Sequence, residues 1–356
     1  MLDFTASIPY KMCHVHISIR QKDKMKKQPP IKAEDTSRAK LQVSRKGLCR
    51  FCEARFGLSA HWGLYTLSHF GNEWIYCQDR IPLATYKQRM EKFNPARFNA
   101  EEWADLMLES GQKFLLITTK HHDGFCLWDT QLTDFKITNT PFRRDVLAEL
   151  APALRARGLA LHFYYSLVDW THPAYRRDWP SYVEYYQGQV RELCTSFGEI
   201  GGVLFDGYWP KSDWTRGNEY FQAKGPWDLA GTYDLIHKLQ PNAVVTNNTH
   251  VLPLRGEDYQ VCELDLPGEN KNLPSNCREV GDKPTACWWN LNTGWSYQPW
   301  NHRVKSADEI LTALRDVQSR KAVFFLNVGP RPYGDIHPEE QQVLRQVGET
   351  IRRWHL

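Results

Sequence analysis

From Phe56 onward the chain alternates short apolar runs with amphipathic stretches. Eight runs read as strands: "FGLSAHWG", "KFLLITT", "LALHFYYS", "GGVLFDG", "AVVTNN", "DYQVCEL", "ACWWN" and "AVFFLNVG". Helix-start signals lie between them. Asn99 followed by Glu102, Ser181 by Glu184 and Ser306 by Glu309 each have the spacing of a capping box, in which side chains satisfy the first orphan N–H groups. Trp103, Leu106, Met107 and Ser110 then share one helical face, as do Ile310, Leu311, Leu314 and Val317. Pro338 suits the first turn of a last helix. Eight strands with helices between them predict an α/β fold, a TIM-like (β/α)8 barrel. After strand five, "THVLPLRGE" and "PGENKNLPSNCREVGDK" show no helical period, so crossovers five and six are expected to be irregular. A doubly wound open sheet is the alternative, but no G-x-G-x-x-G follows an early strand.

The overall charge of +4 hides an asymmetry. Between Arg20 and Arg50 there are eleven Lys/Arg against three acids, so this segment carries +8 and the rest −4. "KDKMKKQPPIKAEDTSRAK" has no sustained apolar period. Residues 1–50 are therefore expected to be a flexible basic extension, and 51–356 the barrel. A nucleic-acid partner would rest on that segment alone and is not expected. Nine cysteines and the absence of a secretory pattern in "MLDFTASIPYKMCHVHIS" predict reduced thiols in a cytoplasmic protein. No apolar run is long enough to span a membrane. Fourteen Trp, 16 Tyr and 16 Phe suit sugar binding and a large core equally well.

On a barrel, chemistry sits where strands end, at the C-terminal face. These runs end in His61-Trp62-Gly63, His121-His122-Asp123, Tyr165-Ser166, Asp206-Gly207, Asn247-Asn248, Glu263 and Asn290. Polar groups thus repeatedly follow apolar runs at one end. Asp206, directly after Val203-Leu204-Phe205, is expected to be partly desolvated, with Gly207 leaving a substrate room to approach. Such an Asp can also simply cap the next helix. Glu263, two strands on, can face the same cavity. One ionised and one protonated carboxyl group is the arrangement of glycoside hydrolysis, although spacing alone does not establish the pair. If His121 and His122 continue the strand, their side chains point to opposite sides, which makes shared chelation of a metal awkward. His14-x-His16 and Cys49-x-x-Cys52 with Cys13 imitate half-sites for zinc, without finger spacing.

The series "RFGLSAHWG", "NEWIY", "TTKHHDGF", "FYYSLVDW", "LFDGYW", "CELDLPGEN" and "FFLNVGP" resembles glycoside hydrolase family 29, the α-L-fucosidases, from about Arg55 to the last helix. The resemblance implies a retaining exo-hydrolase without metal or organic cofactor, acting on a fucosylated glycan or glycoside. It assigns the nucleophile to Asp206 and general acid/base catalysis to Glu263, a role whose position varies in the family. It places His61, Glu73, Trp74, His121, His122 and Tyr165 around the sugar, with Trp295 as an aromatic wall.

Four departures from the family pattern stand out. Leu204 replaces a frequent Trp two residues before the nucleophile, and Ser59 replaces an aromatic residue found in some relatives. Both changes predict a wider or more polar pocket for the C6 methyl. "NNTH" stands where an Arg is common after strand five, and "PTACWW" lacks a Glu before the Cys. Many relatives continue into a C-terminal β-sandwich. This sequence stops at Leu356, so the barrel is expected to stand alone or take cover from another copy in a homo-oligomer. The alternatives are an exo-glycosidase preferring α-L-galactosides, a fucose-binding protein with weak or lost catalysis, and a metal-dependent barrel hydrolase.

Overall fold

The computed structural model describes residues 34–68, 72–209, 223–272 and 279–354. The Cys13, His14 and His16 motif and the first part of the basic segment lie outside them. Eight strands follow in chain order: β1 Phe56–Ala60, β2 Phe114–Lys120, β3 Ala160–Ser166, β4 Gly202–Asp206, β5 Val244–Asn247, β6 Gln260–Glu263, β7 Thr285–Asn290 and β8 Val323–Val328. All paired neighbours are parallel, in the order β5-β4-β3-β2-β1-β8-β7-β6. The remaining seam, β5 to β6, is joined partly by a side chain. Asp258 N–H donates to the Val245 carbonyl at 2.7 Å, while Val245 N–H donates to Asp258 Oδ2 at 2.7 Å. The result is a nearly closed (β/α)8 barrel, the predicted class. Among the described residues no helix fills the fifth or sixth crossover. No helix there is long and apolar enough to cross a membrane.

The helix starts follow local chemistry. Ser306 makes the full capping box with Glu309. Asn99 accepts from the N–H groups of Glu101 and Glu102. The predicted Ser181 start shifts by one turn: Asp178 caps the helix Trp179–Ser196 and takes the Ser181 hydroxyl at 2.6 Å. Asp wins because its carboxylate accepts both the Ser181 N–H and its hydroxyl.

Residues 34–50 were expected in the extension, but they lie on the barrel. Lys40 and Leu41 N–H groups both reach Asp234 Oδ1 at 2.8 Å. Ser44 N–H donates to the Pro241 carbonyl at 2.7 Å, and Ser44 caps the helix Arg45–Ala54. That helix buries Phe51 in the aromatic floor, 4.4 Å from the Tyr259 ring and 6.1 Å from Phe325. Val43, Leu48 and Ala54 pack beside Phe51, but so few apolar residues set among Lys and Arg give little periodic signal, which is why the segment read as an appendage. Cys49 and Cys52 are exposed on this helix.

Alternation along the strands decides which side chains reach the axis. Tyr164 and Leu204 belong to the inner core cluster with Phe51, Phe325 and Trp288. The strand β2 carries one irregularity of consequence. Its register against β3 runs Thr118↔Tyr164 and then Lys120↔Tyr165, so one residue is inserted. The bulge reverses the inward–outward phase for everything after it.

Candidate active site

Because of that reversal Lys120 faces outward with its register partner Tyr165. Its ammonium lies 3.4 Å from Asp169 Oδ2, fully buried, and 4.6 Å from the Tyr165 ring centroid. The Tyr165 hydroxyl donates to Gln189 Oε1 at 2.7 Å, in the helix layer. Tyr165 is therefore not a cavity residue, contrary to expectation. Its neighbour Tyr164 is, and its hydroxyl donates to Asp206 Oδ2 at 2.7 Å. Apolar strands written "HFYYS" do not reveal which of two adjacent tyrosines points inward.

His121 and His122 also differ from the sequence reading. The strand ends at Lys120, and the following turn brings both rings to the same cavity, with centroids 4.3 Å apart. Together with Asp206 they offer ligand-type atoms all within 4.8 Å of one another. The opposite-faces argument against shared chelation thus fails, because it needed an unbroken strand. Gly124 completes this turn at φ +79°, where any Cβ would lie 2.3 Å from Asp169 Oδ1.

The hydrogen bonds assign the histidine tautomers. Ser166 donates its one hydroxyl proton to the Val168 carbonyl at 2.7 Å and lies 2.6 Å from His122 Nδ1. With the Ser166 proton turned to Val168, Nδ1 of His122 donates to Ser166 and Nε2 is left as the acceptor, 3.7 Å from Asp206 Oδ2. Asn327 works the same way. Its amide nitrogen donates to the Trp295 carbonyl at 2.7 Å and to Asn290 Oδ1 at 3.0 Å. Its oxygen then faces His61 Nδ1 at 2.8 Å, so His61 too presents Nε2 as acceptor. Burial holds His61 down at about 4 and depresses His121 and His122 well below the ordinary histidine value. All three are neutral at physiological pH. His121 stacks on Tyr164 at 5.3 Å, and its Nδ1 has no hydrogen-bond partner among the described residues.

The two carboxyl groups meet through Asn248, whose amide nitrogen lies 2.7 Å from Glu263 Oε2 and 3.4 Å from Asp206 Oδ1. Those oxygens are therefore at most about 6 Å apart. Burial and the Glu263 charge push Asp206 up to about 7, and burial pushes Glu263 to about 7. Tyr164 and the Gly207 N–H donate to Asp206 and favour its ionised form, and the Asn248 amide does the same for Glu263. Gly207 owes its identity to backbone and packing rather than to substrate access: φ is +95° and a Cβ would lie 2.7 Å from Val168 Cγ2.

Glu73 is buried, accepts the Ser296 hydroxyl at 2.9 Å, and is raised by burial above the ordinary carboxylate range. Trp74 meets the His122 ring edge-on at 5.4 Å and stacks near Trp209 at 6.2 Å. Trp295 lies 5.0 Å from His61 and 4.7 Å from Trp288. His61, Glu73, Trp74, His121, His122, Asp206, Glu263 and Trp295 are thus gathered at one mouth. Tyr164, Trp288 and Asn327 were missed, since only strand phase and packing bring them there.

The sequence model of the family described as alpha-L-fucosidase matches residues 20–354. The chain belongs to the alpha-L-fucosidase family. It is 32% identical to Alpha-L-fucosidase 1 of Arabidopsis thaliana over 74% of its own length. That match takes in 54% of the relative, so the chain spans about half its length. Among solved structures it resembles alpha-L-fucosidase isoenzyme 1 from Paenibacillus thiaminolyticus with TM-score 0.74 and 32% identity, covering 86% of this chain and 75% of that one. A fucosidase of Bacteroides thetaiotaomicron, solved as a trapped covalent intermediate with 2-fluoro-fucosyl fluoride, gives TM-score 0.75 and 26% identity, covering 89% and 76%.

The departures from the fucosidase pattern now have positions. Ser59 is buried, accepts the Trp288 indole N–H at 3.0 Å and lies 3.2 Å from Asn327 Oδ1. Leu204 is fully buried in the inner core. Trp288, contributed by another strand, occupies the wall beside them, 5.2 Å from His61. Where the arginine is missing after β5, His250 lies 3.4 Å from Glu263 Oε2.

Proposed function

We propose that the chain is a retaining, exo-acting α-L-fucosidase that removes terminal α-L-fucosyl residues from glycans or glycosides. The observation that carries this reading is the pair of buried carboxyls held on either side of the Asn248 amide. The upper limit of about 6 Å between their facing oxygens favours the roughly 5–5.5 Å of retaining enzymes over the wider gap that admits a water.

In the first step Asp206 attacks the anomeric carbon while protonated Glu263 gives its proton to the departing glycosidic oxygen. The product is a glycosyl ester on Asp206, with Glu263 left as carboxylate. Glu263 then takes a proton from the water that cleaves the ester, and Asp206 is regenerated. Tyr164 holds the attacking carboxylate in place. His61 and His122, each with Nδ1 committed to the protein, accept from sugar hydroxyls through Nε2. His121 and Glu73 supply further polar contacts, and Trp74 and Trp295 cover apolar faces of the ring.

The test is hydrolysis of an aryl α-L-fucoside. Asp206→Asn should abolish turnover with circular dichroism unchanged, and a 2-fluoro-fucosyl donor should leave a covalent adduct on Asp206 in the wild-type protein. Full activity in Asp206→Asn would overturn the proposal.

A further inference from the structure

A second histidine cluster lies outside the set assigned to the sugar. His302 follows the short turn Pro299–Asn301 in the β7–β8 connection, while His337 and Glu339 begin the helix Pro338–Trp354. Their ligand-type atoms all lie within 4.8 Å of one another. The two rings are 4.2 Å apart at an interplanar angle of 52°, and Tyr297 packs against both. His302 carries a further signal: both of its ring nitrogens are shielded from solvent and neither has a hydrogen-bond partner among the described residues. A shielded imidazole with two unsatisfied nitrogens is costly, and a group that accepts its lone pair would relieve part of that cost.

We propose that His302, His337 and Glu339 form a binding site for a divalent transition metal of the zinc class. Two imidazoles and one carboxylate suit tetrahedral Zn²⁺ with a water as fourth ligand, and do not suit the all-oxygen shells of Mg²⁺ or Ca²⁺. Glu339 N–H reaches His337 Nδ1 at 3.3 Å, a long contact that a metal at Nδ1 would displace. Two features oppose a cation: the positive end of the helix dipole, and Arg331 nearby. Glu339 in the first turn offsets the dipole, and Arg331 is already paired with Asp335.

Such a metal would tether the segment between β7 and β8 to the last helix, beside the existing bond from Asn292 to buried Glu340. The same segment carries Trp295 and Ser296. The site does not depend on the reaction proposed above.

Cobalt titration of the full chain tests it, because tetrahedral Co²⁺ absorbs visibly and a thiolate ligand adds a separate near-ultraviolet band. Wild-type protein should bind one Co²⁺, displaceable by Zn²⁺, with no thiolate band and with a rise in Tm. His302→Ala and Glu339→Gln should each weaken binding by more than about 100-fold, exceeding the loss typical of outer-shell partners. Both variants should keep the metal-free circular dichroism spectrum and fucoside turnover, and Glu339→Gln changes only an exposed side chain. Undiminished affinity in both variants would place the metal at His121 and His122 or elsewhere and overturn the proposal. So would a wild-type spectrum dominated by thiolate, or no binding at micromolar cobalt.

Discussion

The Tyr164 hydroxyl donates a 2.7 Å hydrogen bond to Asp206 Oδ2 inside the barrel, 42 residues away in sequence. The donor stabilises the ionised carboxylate and so holds the acid below the value that burial would otherwise impose. Tyr164→Phe should therefore raise the Asp206 pKa and move the acidic limb of the kcat/KM profile to higher pH. A hydrogen bond to a charged group contributes about 1.5–3 kcal/mol, so turnover at neutral pH should fall roughly 10- to 150-fold. A pH profile with an unmoved limb would contradict this.

Stability should depend on the carboxyl pair with a definite sign. Asp206 and Glu263 are raised from 3.8 and 4.5 to about 7 in the folded protein. The unfolded chain thus loses these protons first as pH rises, and stability falls between about pH 4 and 7 before levelling off. The double variant Asp206→Asn, Glu263→Gln should show a flatter Tm-against-pH curve than wild type across that window. Superimposable curves would remove both groups from the linkage.

Glu263→Gln should discriminate between leaving groups. A nitrophenyl fucoside needs little protonation, whereas a glycan leaving group needs a proton, so loss of the acid should cost the latter about 10²–10⁴-fold more in the first step. Added azide should restore turnover of the aryl substrate by taking over the second step. Equal losses on both substrates without azide rescue would point to another acid, with buried Glu73 as the first to examine.

Ser59 spends its hydrogen-bonding capacity on Trp288 and Asn327. Ser59→Ala should lower stability by about 1–3 kcal/mol through the orphaned indole N–H. The preference for an aryl α-L-fucoside over the α-L-galactoside, measured as a ratio of kcat/KM, should change less than tenfold. A larger change would mean that the hydroxyl faces the substrate.

Phe51 closes the floor from a helix outside the strand–helix alternation, and only 4% of it is exposed. Phe51→Ala should destabilise the barrel by about 3–5 kcal/mol in urea unfolding, the usual loss for a large buried aromatic. A loss below 1 kcal/mol would indicate that the helix is a dispensable addition.

Much of the molecule was legible in the sequence, because strand and helix periods, capping residues and strand-end carboxylates are local properties. The alternation of apolar runs implied the barrel, and "GGVLFDG" and "DYQVCEL" placed Asp206 and Glu263 at its mouth. "THVLPLRGE" announced an irregular crossover by lacking a period. Only the tertiary structure decided matters of phase and distance. The extra residue in β2 turns His121 inward, and its pairing with β3 puts Tyr164, not Tyr165, beside Asp206. A one-residue slip inverts every side chain beyond it, yet leaves composition and hydropathy unchanged. Asn248 bridges two carboxyls, and Phe51 meets Tyr259, across sequence gaps that no local pattern spans. The sequence by itself determined which chemical groups stand at the mouth; closure of the sheet decided which of them touch.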